Sequence, residues 1–244
     1  MVELLSDVGN FRKINEDYIG YHTDDNKRIY VIADGMGGHN AGDVASRLAV
    51  ENTIKYINSL QKIDSIEEDL RAAINDSNLK IYKLSKSNEE LSGMGTTITA
   101  CLIAGGEMVT ANVGDSRCYI IRDNKIIKVT KDHSLVQQLI DEGSITEDEG
   151  YSHPNKNIIT RALGTKTDVE IDTYKMDLTG IQKVIMCTDG LSNLIKEEEI
   201  YQIVMNNSNS CFELIELSKA RGGKDNISVI VFEGECNYDR DCSR

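Results

Sequence analysis

Apolar residues along this chain follow two periods, and the periods change in blocks. Arg28 to Ala33 (RIYVIA) is a short apolar run that ends in Asp34 and Gly35. Asp43 to Leu60 has helical composition, with Val44, Leu48, Ile54 and Ile57 on its apolar side. Ile66, Leu70, Ala73, Ser77, Ile81 and Leu84 recur at three- and four-residue steps, which predicts an amphipathic helix. The period then drops to two. Thr96 to Ile103 alternates, with Ile98, Ala100 and Leu102 on one face, and Met108 to Val113, Cys118 to Ile121 and Ile126 to Val129 also read as strands. Leu135 to Asp141 is a short helix stopped by Gly143. Strands resume at Val169 to Tyr174 and Lys183 to Cys187. Helices follow over Lys196 to Met205 and Cys211 to Ala220, and a last strand over Asn226 to Phe232.

Helices in pairs between groups of strands predict antiparallel sheets with helices outside them, not a regular βαβ winding. The stretch from Ser144 to Thr167 shows no period and is long for a connection within a compact domain. Ser144 to Gly164 is therefore read as a substrate-facing flap. No Pro-rich or Gly/Ser-rich linker divides the sequence. One domain is expected over residues 1–234, with a short polar, frayed tail over 235–244.

Composition narrows the class. A net charge of −13 argues against nucleic acid or an anionic membrane as partner. The start, Met1 to Asp7, lacks the basic and apolar stretches of a signal peptide, and no run of about 18 apolar residues occurs, so a cytoplasmic protein without membrane insertion is expected. Cys101, Cys118 and Cys187 lie in apolar strands, where a buried free thiol is the ordinary state. Cys236 and Cys242 in the tail are expected to stay reduced.

The chemistry sits in the acids. Asp34 follows RIYVIA, Asp115 follows VTANVG, Asp189 follows KVIMCT, and Asp225 precedes NISVIVF. Glu16 and Asp17 stand just before YIGYH. Alone, each such aspartate reads as a turn residue. Together they form a set of hard oxygen donors with no His or Cys among them, which suits Mg²⁺ or Mn²⁺. They are spread so far along the chain that only a folded core could gather them. The remaining polar signals have blander readings. His133, His153 and His39 are assigned hydrogen-bonding roles, and His22 a place on a surface strand. Glu197, Glu198 and Glu199 compensate a helix dipole. The glycines from Gly35 to Gly38 make only a weak phosphate-loop signal, because no lysine follows.

Eight segments in one order carry a resemblance. They are SDVGNFRKINED (Ser6 to Asp17), ADGMGGHNAGDVAS (Ala33 to Ser46), MGTT (Met94 to Thr97), ANVGDSR (Ala111 to Arg117), KDHS (Lys131 to Ser134), HPNKNIITRALG (His153 to Gly164), CTDGLS (Cys187 to Ser192) and GGKDNIS (Gly222 to Ser228). In these the chain resembles the protein phosphatase 2C family of metal-dependent serine/threonine phosphatases, in its bacterial single-domain form. The resemblance implies an α+β fold, a four-layer αββα sandwich of two antiparallel sheets. It implies hydrolysis of phosphoserine and phosphothreonine in signalling by a metal-bridging water, with no covalent enzyme intermediate.

The implied cofactors are Mn²⁺ or Mg²⁺, two central ions and a third. By position, Asp34 would bridge the central pair with the Gly35 carbonyl on one ion. Asp189 and Asp225 would bind the other, and Asp115 with Asp189 the third. Glu16 and Asp17 would act through waters, Asn226 would support Asp225, and Arg12 would pair with the substrate phosphate. Met36 stands where many eukaryotic members have a proton-donating histidine. The candidate donor is then a metal-bound water. The implied partners are phosphoproteins and a cognate serine/threonine kinase, the expected state a monomer. A hydrolase of small phosphate compounds is the alternative, along with a catalytically dead binding module, against which every expected acid is present.

Overall fold

A computed structural model of the chain describes residues 1–37 and 41–234. His39, Gly38 and the tail with Cys236 and Cys242 lie outside the described residues.

Two antiparallel sheets face each other. The first has the order β1-β11-β10-β7-β8, from β1 (Val2–Asp7), β11 (Ile227–Glu233), β10 (Ile181–Cys187), β7 (Arg117–Arg122) and β8 (Lys125–Lys128). The second has the order β2-β3-β5-β6-β9, from β2 (Asp17–Thr23), β3 (Lys27–Met36), β5 (Ile98–Ala104), β6 (Glu107–Val113) and β9 (Asp172–Asp177); the short β4 (Gly95–Thr96) pairs with the end of β3. The long helices α1 (Gly42–Ser59) and α2 (Ile66–Ser87) cover the outer face of the second sheet, and α6 (Glu197–Asn206) and α7 (Ser210–Ala220) that of the first. This is the four-layer sandwich expected.

Three apolar layers hold it together. Between α1, α2 and the second sheet lie Val31, Ile98, Ala100, Leu102, Leu70, Ile74 and Ile81. Between α6, α7 and the first sheet lie Ile185, Val229, Ile200 and Leu214. Between the sheets lie Tyr30, Ile32, Cys101, Cys118, Met186, Ile230 and Phe232. The alternating residues of β5 therefore divide between two apolar layers, not between core and water. Tyr30 and Phe232 stack across the sandwich, their ring centroids 3.7 Å apart. Cys101, Cys118 and Cys187 are buried free thiols, as is Cys211.

The structure departs from the periodicity in particular places. Asp34 lies inside β3, because the strand changes partner there from β5 to β4 and continues to Met36. β9 starts at Asp172, since that is where pairing with Asn112 of β6 begins; Ile171 turns instead into the helix-side core. The irregular stretch contains α4 (Glu147–Tyr151), capped by Thr146 and Glu149. It follows α3 (Leu135–Asp141), and isolated bridges Ser134↔Ile159 and Thr96↔Leu163 pin its base. A one-turn helix, α5 (Asp189–Ser192), and the strand β1 carry too few residues to show a period. The Gly234 N–H donates to the Gln182 carbonyl at 3.4 Å.

Phe232 is 1% exposed and joins the two sheets through Tyr30. Phe232→Ala is expected to cost about 3–5 kcal/mol. A lowered urea midpoint at unchanged slope would read this. A loss below about 1 kcal/mol would show that the pair does not join the layers.

Candidate functional site

Antiparallel pairing brings the predicted acids to one edge of the sandwich. Asp17 opens β2 directly opposite Asp34 of β3. Asp115 sits in the turn from β6 to β7, Asp189 opens α5 just after β10, and Asp225 lies just before β11. Each is at the same end of its strand ladder, so sequence positions far apart become neighbours.

The electrostatics register that convergence. Burial pushes the Asp34 carboxyl well above the usual range, and Asp17, Asp189, Asp115 and Asp225 push it further in that order. Asp189 is raised to about 6 by burial and then by Asp225, and Asp17 to about 7 by burial, with Asp189 and Asp225 adding to the rise. Asp115 is held well up by burial and by Asp189 and Asp132. Glu16 is raised by burial against the opposing pull of Arg12.

Each acid has a fixed support. Asp17 Oδ2 accepts from Ser228 Oγ at 2.7 Å and Thr188 Oγ1 at 2.9 Å. Asp189 Oδ2 accepts from Asn193 Nδ2 at 3.0 Å. Asn226 Oδ1 accepts the Glu16 N–H, while its amide donates to the carbonyls of Val8 and Ile14, so it ties the Glu16 segment to the start of β11. Thr97 fixes the backbone of Asp34 from both sides, through Oγ1 and through its own N–H. Gly35 is needed where it stands: a Cβ there would lie 2.1 Å from the Gly42 carbonyl and 2.6 Å from that of Glu16. Arg12 Nη2 meets both Asp225 oxygens at 3.0 Å, and half of its side chain stays exposed.

Two carboxylate oxygens in this cluster, Asp17 Oδ1 and Asp189 Oδ1, are buried with no hydrogen-bond partner. A buried acceptor without a donor is costly, and a hard cation meets that need. The donor set therefore fits divalent metal. The fit is a loose one: among the described residues no three His, Cys, Asp or Glu side chains close around one point. Carbonyl oxygen and water would have to complete each shell, as hard ions readily accept.

Beside the acids a cavity of about 120 Å³ runs under the flap, lined by Asp115, Asp189, Arg117, Asn193, Tyr151 and Lys156. Lys156, from the flap, acts on the Asp189 charge, and Arg117 grips Asp132 at 2.7 and 2.9 Å.

This arrangement has known counterparts. The protein phosphatase 2C family model matches residues 12–220. The chain belongs to the protein phosphatase 2C family. It is a metal-dependent protein-serine/threonine phosphatase, hydrolysing phosphoserine and phosphothreonine without a covalent enzyme intermediate. It is 39% identical over 238 residues to the serine/threonine phosphatase stp of Listeria welshimeri, covering 95% of this chain and 94% of that one. The structure superposes on the serine/threonine phosphatase Stp1 of Staphylococcus aureus with a TM-score of 0.91 at 34% identity, covering 96% and 94% of the two chains. It superposes on the catalytic domain of the phosphatase PstP, in complex with two manganese ions, with a TM-score of 0.84 at 34% identity, covering 95% and 96%. Among the described residues no helix is long and apolar enough to cross a membrane.

Arg12, Glu16, Asp17, Asp34, Gly35, Asp115, Asp189 and Asp225 all lie at this one edge. Thr188, Ser228 and Asn193 were not singled out by the sequence, although CTDGLS contains Thr188 and GGKDNIS contains Ser228; the register across the sheets shows that Thr188 and Ser228 hold Asp17, and the turn of α5 brings Asn193 to Asp189. His22 and His153 stand apart: His22 is half-buried, 3.5 Å from Asp24, and the His153 ring Nδ1 accepts the Asn155 N–H. Glu199 at the start of α6 pairs with Arg221 at 2.6 Å, which with a backbone bond holds it down at about 2, so that run does more than offset a dipole.

The raised acids set a pH dependence. Asp17 and Asp189 keep protons in the folded protein up to about 7 and about 6, where the unfolded chain has already released them. Their contribution to stability is present at low pH and is lost as pH rises through those values. Bound metal would replace the protons. The gain in Tm from Mn²⁺ over chelated protein is therefore expected to be larger at pH 7.5 than at pH 5.5. Equal gains at both would show that protons and metal do not compete for these carboxyls.

Proposed function

We propose that Asp34, Asp189 and Asp225, with the Gly35 carbonyl, hold two central Mn²⁺ or Mg²⁺ ions for phosphoprotein hydrolysis, and that Asp115 with Asp189 holds a third. The observation that carries this is the pair of orphaned buried oxygens on Asp17 and Asp189, amid carboxyls that push one another's pKa upward. Bound metals would supply an activated water and neutralise the phosphoryl oxygens. Glu16 and Asp17 act at one remove, through waters. Asp17 suits that role because Thr188 and Ser228 already occupy its second oxygen.

Arg12 receives the phosphate. Its guanidinium is always charged, planar and half exposed beside the acids. It rests on Asp225, and a cation at Asp225 would compete for that carboxylate and leave the guanidinium for the substrate. Met36, at the end of β3, brings no proton donor. The flap supplies Lys156 and Tyr151 above the cavity, a surface for the peptide around the phosphorylated residue. Lys156 and Tyr151 beside the acids favour phosphoproteins, whose flanking residues they can meet, over small phosphate compounds. The partner class is a serine/threonine kinase that makes these substrates, and the reading is of a cytoplasmic monomer, one catalytic domain over residues 1–234.

Asp34→Asn and Asp225→Asn are expected to lower kcat by about 100-fold or more, each by weakening a central ion. Arg12→Ala should chiefly raise KM for a phosphopeptide, because it contacts phosphate in ground and transition states alike. An unchanged KM with a reduced kcat would refute its role. Asp115→Ala should remove one bound Mn²⁺ by calorimetric titration. It should reduce phosphopeptide turnover more than that of an aryl phosphate, whose leaving group needs no proton. Equal losses on both, with the ion count unchanged, would exclude the third ion.

A further inference from the structure

His133 leads into the flap and is tied to the Asp115 turn by two bonds of opposite sense. Its N–H donates to the Gly114 carbonyl at 2.8 Å, and the Gly114 N–H donates to its Nδ1 at 3.1 Å. Only glycine fits at position 114. Its φ is +112°, and a Cβ there would lie 2.5 Å from Thr97. A backbone N–H only donates, so Nδ1 must accept, and the neutral imidazole carries its proton on Nε2. Nε2 lies 3.3 Å from Asp172 Oδ2 and 3.1 Å from Arg161 Nη1. With that proton in place the acceptor is Asp172, and Arg161 Nη1 donates to the other Asp172 oxygen at 2.6 Å.

The returning limb of the flap is bound to the same residue, because the Thr160 N–H donates to the His133 carbonyl at 2.8 Å. The imidazole is 7% exposed. Its contacts lie on the turn that carries Asp115, on the return limb of the flap and on the first residue of β9. A side chain that served packing alone would not need a fixed tautomer.

We propose that His133 is a positioning residue that sets the aim of Asp115 from the base of the flap, so that flap seating and the Asp115 turn move as one unit. This rests on the reading of Asp115 as a third-ion ligand. His133 itself touches neither phosphate nor the reacting atoms.

The test compares His133→Asn with His133→Gln. The Asn oxygen can stand near the place of Nδ1 and keep the Gly114 bond; the Gln oxygen reaches only toward the place of Nε2 and gives that bond up. Amide exchange at Gly114 in chelated protein reads the turn without metal or activity. Mn²⁺ stoichiometry and the ratio of phosphopeptide to aryl phosphate rates read its effect. For His133→Gln we expect Gly114 exchange faster by about tenfold or more. We also expect one Mn²⁺ lost, and a rate ratio lowered by about tenfold. His133→Asn should stay within about threefold of the parent on each. Equal damage from both variants would overturn the proposal, since that is what loss of packing gives. So would a His133→Gln protein with unchanged Gly114 exchange and rate ratio. Asp115→Ala separates the two readings. If it leaves the Mn²⁺ count unaltered, the third ion is refuted; faster Gly114 exchange with a lowered rate ratio in His133→Gln then still supports positioning, and no change in either overturns it.

Discussion

Carboxylates that repel one another are held together at one edge of this sandwich, and much of the architecture answers that repulsion. Burying one carboxylate is unfavourable, and placing others beside it adds a Coulomb penalty that falls slowly in a low-dielectric interior. Asp34 has four such neighbours. The chain cannot hold them by local structure, because each comes from a different strand end. They are held by the sheets, whose registers are fixed by apolar layers on both faces. Tyr30 and Phe232 fix the spacing between the sheets. The rigid core makes an unfavourable charge cluster persist in the folded state, ready for cations that relieve it.

Around the cluster, polar groups are used to limit its freedom rather than to neutralise it. Thr188 and Ser228 each hold Asp17 and also bond each other's strands, since the Ser228 N–H donates to Thr188 Oγ1. Asn226 ties Glu16 to the segment leading into β11. Thr188 and Ser228 occupy one oxygen of Asp17, and Asn193 one oxygen of Asp189, and the other oxygen of each acid stays open. Were these partners cationic, both carboxylates would be satisfied internally, and metal would have to displace a full ion pair. Asp132 is the contrast: Arg117 and Lys128 saturate it, which suits a structural charge under the cavity.

Much of this was legible in the sequence, for a physical reason. Long amphipathic helices such as α2, and strands such as β6, carry enough residues to fix a period, and they lie where the pattern puts them. Strand-end acids next to glycine were visible as a set because chance rarely repeats that pattern. What was not legible depends on pairing. That β3 continues past Asp34 follows from its change of partner, not from its composition. β1 is half-buried and only six residues long, so alternation there is weak. The contact of Arg12 with Asp225 joins a loop to a strand start more than two hundred residues away, and no local signal encodes it.

The overall charge sharpens the problem of substrate entry. A chain of net charge −13 should repel a phosphate dianion, and the acid cluster alone would make the edge the worst place for it. Cations near the edge answer this at three levels of commitment. Arg117 is half-buried and locked on Asp132, where it tempers the local potential. Lys156 stands on the flap above the cavity, where it can act on whatever the flap covers. Arg12 is half exposed and shares Asp225 with any ion that binds there. If Arg12 receives the phosphate as proposed, recognition of phosphate and loading of metal would meet on the single carboxylate of Asp225. An edge without bound cations is closed to phosphate by its own charge and by the engagement of Arg12. In the proposed site, cations would reverse the first obstacle directly and the second by competition for Asp225, which would make metal loading a condition for substrate binding as well as for chemistry.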